Sequence, residues 1–287
     1  MNRDYYTQYM TIQFTETDKY YFVRKPHGIP TTFGSQFSYV EKIVSENPPF
    51  FASLTQHFSA DEEYGLLNRL DNDTAGFLYF AKTKNIKKEY KKLQDEQMIN
   101  KLYIANLEGR VDVERTAEKH EELRVTEFYL RHPEWNEGSR QKTSIPWDSS
   151  ALPQNDGSII NYALWTINLS QQEIDSITNV FKWHTKWLVI TYPIMHRIHD
   201  DIRMVAIRIP KDYNKWRGEK HRVETTLFPI QYNEEDNTTL CLITIHQGIR
   251  HQIRVHCDSV WYPVAKDKLY GKWGGGWDLQ LWSIGIL

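Results

Sequence analysis

Residues 66–83, LLNRLDNDTAGFLYFAKT, constrain the fold more than any other stretch, because a polar turn leads there into an unbroken apolar run. The run from Gly76 to Ala81 has strand length and no polar alternation, so it predicts a strand buried on both faces. Asp71 stands in the turn just before that strand. Taken alone, such an acid is most often a turn cap that accepts hydrogen bonds from nearby backbone. The alternative is a functional carboxylate.

The composition narrows the class of protein. The chain has 287 residues, 40% of them apolar, enough to bury one sizeable core or two modest ones. Lysine and arginine (35) nearly balance aspartate and glutamate (37), so any nucleic-acid surface has to be local. Cys241 and Cys257 are too few for a disulfide framework and favour a reducing compartment. No apolar leader and no run of about 18 apolar residues occurs. We therefore expect a cytoplasmic protein without a membrane span.

The first part of the chain predicts a strand, a helix and a strand around the central run. YYFVRKPHGIPTT (20–32) predicts a strand that ends in a turn near Lys25. NIKKEYKKLQDEQ (85–97) has helical apolar spacing and a basic outer face, which is either solvated or a track for phosphates. INKLYIANLEG (99–109) alternates as a strand does.

The later part of the chain differs in kind up to residue 187. Residues 111–187 are polar and turn-rich at 139–158, with a predicted helix at 170–183, so we interpret them as an insertion or subdomain. Strand-like segments then follow at 187–194 and 202–210.

The segment 240–271 predicts a strand, a turn at Gly248 and a helix. Arg250 and Arg254 lie at the border of the apolar stripe of that helix, which predicts that both face a cleft.

Four motifs occur in an order that is similar to that of the RluA-like pseudouridine synthases. NRLDNDTAGFLYFAKT resembles the H-R-L-D-x-x-T-S-G-x-x-x-x-A-K-T signature of that family. The other three are RKPHGIP, INKLYIANLEG, and QGIRHQIRVH with the YPVAKDKLYG that follows it. The resemblance covers 20–110 and 188–271. It departs from the family pattern at Asn68, Ala75 and 247–250. We do not expect Asn68 to take part in the chemistry, whereas 247–250 borders the predicted cleft, and there we expect the grip on RNA to differ.

The resemblance implies an α+β fold with a mixed, largely antiparallel sheet whose central active-site cleft is flanked by helices. On this basis residues 1–110 and 188–287 form the catalytic domain, and 111–187 is the insertion. We expect no separate N-terminal RNA-binding module.

The resemblance also implies three catalytic residues. Isomerisation of uridine breaks the bond from ribose to N1 and rejoins the base through carbon 5, and it requires a carboxylate nucleophile or stabiliser. Asp71 matches that position. Arg254 matches the arginine that pairs with the aspartate and keeps it charged. Tyr103 matches the tyrosine on which the flipped uracil stacks.

Four basic residues are candidates for contacts to the RNA backbone: Arg69, Lys25, Lys101 and Arg250. We expect no metal, because the histidines at 246, 251 and 256 do not share a helical face, and no organic cofactor.

The expected function is therefore an isomerase that forms pseudouridine in structured ribosomal or transfer RNA. We expect RNA as the partner, a monomer, and no obligate protein partner. One alternative is a catalytically weak RNA-binding or RNA-folding protein on the same scaffold. Another is a nucleoside hydrolase, which would need a second acid to activate water, and only Asp73 stands near Asp71.

Overall fold

The computed structural model describes residues 12–32, 38–46, 48–120, 123–128, 169–180, 185–208, 216–271 and 278–286. The chain divides into two compact units, Met1–Lys91 and Lys92–Leu287. The predicted turn-rich segment 139–158 lies outside the described residues.

The first unit is built on an antiparallel sheet. Its strands are β1 (Phe14–Glu16), β2 (Tyr20–Lys25) and β3 (Ala75–Ala81), with β2 in the middle. Its helices are α1 (Tyr39–Glu46), α2 (Pro49–Thr55), a short 3₁₀ helix (Ala60–Gly65) and α3 (Lys84–Asp95), which runs on past Lys91.

Strand β3 confirms the prediction of a strand buried on both faces, since all seven of its residues are buried. Aromatic rings hold it to β2: the ring of Phe22 lies edge-on to those of Phe77 and Tyr79, at centroid distances of 6.3 and 5.5 Å. Each such buried ring contributes roughly 1.5–3 kcal/mol through burial, with a further edge-to-face term.

The register of β2 and β3 brings two loops to one edge of this sheet. Lys25 ends β2 and lies opposite Gly76, the second residue of β3. Because the strands are antiparallel, the loop that leaves β2 and the turn that enters β3 emerge side by side.

The second unit contains a six-stranded antiparallel sheet in the order β12-β4-β11-β10-β6-β5 and a three-stranded sheet in the order β8-β7-β9. The strands are β4 (Lys101–Glu108), β5 (Arg124–Phe128), β6 (Thr185–Ile190), β7 (Ile194–Arg197), β8 (Met204–Ala206), β9 (Trp216–His221), β10 (Thr225–Asn233), β11 (Thr238–Ile245) and β12 (Leu281–Ile286). The helices are α4 (Val113–Glu118), α5 (Gln171–Val180) and α6 (Gln252–Ser259). The α+β class is therefore confirmed, and every strand pairing within either unit is antiparallel.

Two described parts of 111–187 belong to this architecture. Strand β5 pairs with β6 at an edge of the six-stranded sheet, and Val113 of α4 packs into the hydrophobic core of the second unit. The interpretation of 111–187 as an insertion stays a prediction. The strand-like segment 187–194 is interrupted after Ile190, near Pro193, whose ring nitrogen cannot donate to a sheet ladder.

Helix α6 differs from its prediction. The apolar spacing predicts one buried stripe with arginines at its border, yet seven of its eight residues are buried, Arg254 among them at 2% exposure. The helix tolerates this because its polar side chains have partners from distant strands and loops. His256, for example, contacts the Thr225 hydroxyl at 2.8 Å and the Tyr192 carbonyl at 2.8 Å.

None of the described helices is long and apolar enough to cross a membrane.

Candidate functional site

Asp71 lies in a tight turn between the Asn68–Leu70 segment and β3. The Thr74 N–H donates to the Asp71 carbonyl at 3.1 Å, which closes the turn. The Asp71 residue is partly exposed. Such a position suits a group that has to meet a substrate.

The segment before Asp71 is tied down on both sides. Asn68 bonds to β3 through both ends of its amide, accepting from the Tyr79 N–H at 2.7 Å and donating to the Phe77 carbonyl at 3.2 Å. The Thr31 hydroxyl donates to the Leu70 carbonyl at 2.7 Å and accepts from the Leu70 N–H at 3.1 Å. The backbone leading to Asp71 is therefore held by strand β3, which follows it in the chain, and by Thr31, which lies 39 residues before Leu70.

Lys25 supports the turn through Asn72, the residue that follows Asp71. Its amine donates to the carbonyls of Pro26, Ile29 and Asn72 at 2.9, 2.7 and 3.0 Å, and the residue is fully buried. One ammonium offers three donors, so this set uses all of them. The Gly28 N–H reaches the same Asn72 carbonyl at 2.8 Å. The loop 25–31 therefore binds the backbone carbonyl of Asn72, the residue next to Asp71.

Burial lowers the pKa of the Lys25 amine from about 10.5 to about 7, and the negative charges of Asp71 and, less strongly, Asp73 oppose part of that lowering. The prediction that Lys25 contacts the RNA backbone conflicts with these positions, because its amine is buried and committed to three protein carbonyls. Sequence spacing gives no sign of this, since Lys25 and Asn72 are 47 residues apart. Arg69, by contrast, is exposed beside Asp71.

In the second unit, Tyr103 and Lys101 lie on β4. Tyr103 sits between Ile243 of β11 and Ser283 of β12 and is buried. Lys101 is also buried, and burial lowers the pKa of its amine to about 8. Its amine lies near Gly248, where an added Cβ would be 3.7 Å from Nζ. Both side chains thus project from β4, a strand that is paired on both sides.

Arg254 makes a bidentate ion pair with a residue that the sequence interpretation passed over. Its Nε and Nη2 donate to the two carboxylate oxygens of Asp267, both at 2.7 Å, and both side chains are buried. Asp267 also accepts from the N–H groups of Leu269 and Tyr270, at 2.8 and 3.1 Å. The signal was available, because Asp267 stands at the aspartate of the YPVAKDKLYG motif.

Further contacts fix this pair in direction. The ring of Tyr270 lies beside the guanidinium, with Arg254 Cζ 5.3 Å from the ring centroid. Asp71 and Arg254 fall in different units, and the pairing between them stays a prediction. Arg250 is exposed ahead of α6 and donates to the Asp201 carbonyl at 3.1 Å.

No group of three metal-ligating side chains occurs among the described residues. His256 is fully buried, and burial lowers the pKa of its ring to about 4, so it is a neutral structural residue at neutral pH. Gln252 is structural too, since its amide donates to the Glu224 carbonyl at 2.8 Å.

Comparisons with known proteins agree with these motifs. A family model described as RNA pseudouridylate synthase matches residues 19–259. The solved structure of human RNA pseudouridylate synthase domain containing 1 is similar, with a TM-score of 0.55 and 13% identity, covering 96% of this chain and 78% of that chain. Human RNA pseudouridylate synthase domain containing 4 gives a TM-score of 0.47 and 14% identity, covering 95% and 82%. Comparison with curated proteins gives no significant match.

The first of these structural likenesses supports the fold, and the family model spans most of the chain, including all seven predicted site residues. The chain belongs to the RNA pseudouridylate synthase family.

Proposed function

We propose that the chain is an RluA-like RNA pseudouridine synthase that isomerises uridine in structured ribosomal or transfer RNA. Membership of the family supports an isomerase that acts on RNA. The observation that carries the proposal is the turn around Asp71, which is held by Asn68, Thr31 and Lys25 while the aspartate itself remains partly exposed. A turn held by several hydrogen bonds around a partly exposed acid is typical of a preorganised functional site.

The chemistry assigned to Asp71 is nucleophilic. Its carboxylate attacks carbon 6 of uracil or carbon 1′ of ribose, and the bond between ribose and N1 breaks. The base rotates and carbon 5 joins the ribose, and the bond between the substrate and the Asp71 carboxylate breaks, which frees the carboxylate. The proton of carbon 5 leaves to water, and N1 gains a proton. No metal or organic cofactor enters this scheme, since on either route the electrophile is a carbon atom of the nucleotide itself.

The other predicted residues take supporting roles in the proposal. Tyr103 stacks on the flipped uracil, for which roughly 1–3 kcal/mol per base is typical. Arg254 stabilises the charged form of Asp71, with Asp267 and Tyr270 fixing the direction of its guanidinium. Arg69 and Arg250, which are exposed, contact the RNA backbone. Lys101 is buried on β4, so no contact with the RNA backbone is assigned to it.

Lys25 receives a different role from the one that its sequence position indicates. We assign it as a positioning residue, because its amine holds the carbonyl of Asn72 and thereby sets the turn that carries Asp71.

We place the enzyme in the cytoplasm, acting as a monomer without an obligate protein partner. The buried thiols of Cys241 and Cys257 support a reducing compartment.

Residues 111–187 are proposed to influence which RNA is modified. Removing all of them would delete β5, an edge strand of the six-stranded sheet. A more specific variant deletes 129–168, which removes none of the described helices and strands. It should change the preferred RNA while the chain still unfolds cooperatively.

The test of the function is release of tritium from carbon 5 of uracil in ribosomal and transfer RNA transcripts. Wild type should release tritium, Asp71→Asn should not, and Asp73→Asn should remain active. The Asp73 variant is a matched control, since it removes the same charge from the same turn.

Full activity in Asp71→Asn would refute the nucleophile. A wild type that binds RNA but releases no tritium would instead favour the RNA-binding or RNA-folding alternative.

A further inference from the structure

A basic pocket lies in the second unit. Its volume is about 390 Å³, within the range of small-ligand sites, and it opens beside β8 and α6. The side chains that matter for its chemistry are Arg197, Arg203, Arg208, Asp258 and Tyr270.

The lining of this pocket favours an anion. Three arginines and one carboxylate, that of Asp258, line the pocket. Asp200 neighbours two of these arginines. Its carboxylate is 3.8 Å from Arg203, a loose contact, and its pKa is lowered by the N–H groups of Arg203 and Ile202 and, less strongly, by the charges of Arg203 and Arg197. The guanidinium of Arg208 donates to the Ser259 carbonyl at 3.2 Å, which fixes its direction without neutralising its charge. Arginine presents several donors in one plane, a geometry that matches phosphate oxygens.

An exposed tryptophan adjoins this pocket. Trp261 follows α6 and is 59% exposed, the most exposed large apolar side chain among the described residues. The guanidinium of Arg208 lies over its ring, with Cζ 5.2 Å from the centroid. An arginine of the pocket and an exposed indole therefore form one continuous surface.

The backbone at Trp261 is also unusual. Its φ is +74°, in the left-handed region that a bulky residue adopts only under strain and glycine adopts freely. Strain at an exposed aromatic residue is compatible with a binding role, because backbone preference does not explain a tryptophan at this position.

We propose that Arg203, Arg208 and Trp261 bind an unpaired nucleotide of the RNA, with the phosphate in the pocket and the base stacked on the indole. This inference rests on the proposed function, since it takes RNA as the partner. Stacking on an aromatic face is tolerant of sequence, because every base has such a face. The surface therefore grips a single-stranded flank of the target and does not read a particular base.

The pocket borders the predicted catalytic arginine through one shared residue. Tyr270 lines the pocket, and its ring contacts Arg254. Its hydroxyl also accepts from the Met204 N–H at 2.8 Å, which anchors it to β8. Tyr270 therefore links the pocket to Arg254.

The first test measures the affinity of the full chain for a labelled single-stranded RNA of about 12 nucleotides. Trp261→Gly should raise the Kd about 5- to 150-fold through lost stacking, while the chain remains folded because glycine accepts the left-handed backbone. This variant separates binding from folding, since the same change removes the indole and relieves the strain.

The second measurement is the salt dependence of that affinity. Arg203→Ala combined with Arg208→Ala should reduce the slope of log Kd against log salt by up to about 1.4, from two lost phosphate contacts. Arg124→Ala is the matched control, because it removes an exposed arginine of the same unit that pairs with Glu224 outside the pocket, and it should leave Kd and slope unchanged.

The outcomes separate this proposal from the proposed function. Wild-type Kd values in Trp261→Gly and in the double arginine variant would overturn the surface, whether or not wild type releases tritium. Weakened binding in both, in a chain that releases no tritium, would support the surface and refute the isomerase. If polyglutamate binds wild type as tightly as the RNA does and is equally sensitive to Trp261→Gly, the surface takes acidic peptides and the proposal fails.

Discussion

Each unit buries a cation of the predicted site, Lys25 in the first and Arg254 in the second, but the two cations are satisfied in different ways. In the first unit the Lys25 amine donates to three backbone carbonyls, which are neutral dipoles. In the second unit the Arg254 guanidinium donates to both oxygens of a carboxylate, Asp267. The choice follows from shape, because an ammonium directs three donors to three separate acceptors, whereas a guanidinium fork matches one planar carboxylate.

The difference has an electrostatic consequence. Carbonyl dipoles compensate burial only in part, so the pKa of Lys25 falls to about 7 even with Asp71 and Asp73 nearby. Arg254 remains charged at all physiological pH values. The first unit therefore holds its turn with a group that titrates near neutrality, and the second holds its helix with a permanent ion pair.

The largest effect is expected from breaking the ion pair. Asp267→Asn leaves the buried Arg254 charge uncompensated, which destabilises a protein by about 3–5 kcal/mol. The denaturant midpoint of the full chain measures it. Asp201→Asn is the control, since its carboxylate is 90% exposed and pairs with Arg217 at the surface. Equal midpoints for the two variants would show that the buried pair is not what stabilises α6.

A second buried lysine sharpens the comparison, because Lys101 has no described acceptors for its amine comparable to those of Lys25. Burial alone lowers the pKa of Lys101 to about 8. Lys101→Met should therefore stabilise the chain at pH 7 by up to about 3 kcal/mol.

The sign of this effect fixes its pH dependence. Below pH 8 both folded and unfolded states carry the Lys101 proton and the burial penalty is complete. Between about pH 8 and 10.5 the unfolded state binds more protons, so wild-type stability rises with pH and the advantage of Lys101→Met shrinks. Denaturant unfolding of both chains across that range measures it. An advantage that is constant with pH would contradict the assigned cause.

Much of the fold was predictable from local pattern. The burial of β3 followed from its unbroken apolar run, and α3 and β4 followed from periods of 3.6 and 2 residues. The burial of α6 on all sides was not predictable, because the acceptors of its polar side chains lie tens of residues away in the sequence. Spacing within a helix shows which residues share a face, but it does not show whether a polar face has partners.

The same limit applies to the candidate site. Motif order pointed to Asp71, Tyr103 and Arg254, whose catalytic roles stay predictions. Asp267, the partner of Arg254, was predictable from the sequence, because it lies in the YPVAKDKLYG motif. The acceptors of the Lys25 amine were not predictable, because they depend on the conformations of two loops whose backbones meet only in the folded unit.

The role of Lys25 separates positioning from RNA contact. Lys25→Met removes the support of the Asn72 carbonyl, and a misplaced catalytic group loses on the order of 100-fold in rate. Single-turnover tritium release should fall by that amount while the RNA Kd and its salt slope remain those of wild type. Lys82→Met is the control, since Lys82 belongs to the same unit and pairs with Glu16 at the surface. A weaker Kd with a reduced salt slope would restore the RNA-contact interpretation of Lys25.

The smallest expected effect tests whether Asp71 and Lys25 are electrostatically linked. The Asp71 charge favours the protonated amine, so Asp71→Asn should move the pKa of Lys25 below about 7, and Asp73→Asn should move it less. The carbon-13 shift of the Lys25 Cε followed against pH measures both. A larger shift in Asp73→Asn would mean that Lys25 responds mainly to the far side of the turn. The expected order would show that the turn is held by a cation whose charge depends on the proposed nucleophile, a dependence that the permanent charge of Arg254 cannot have.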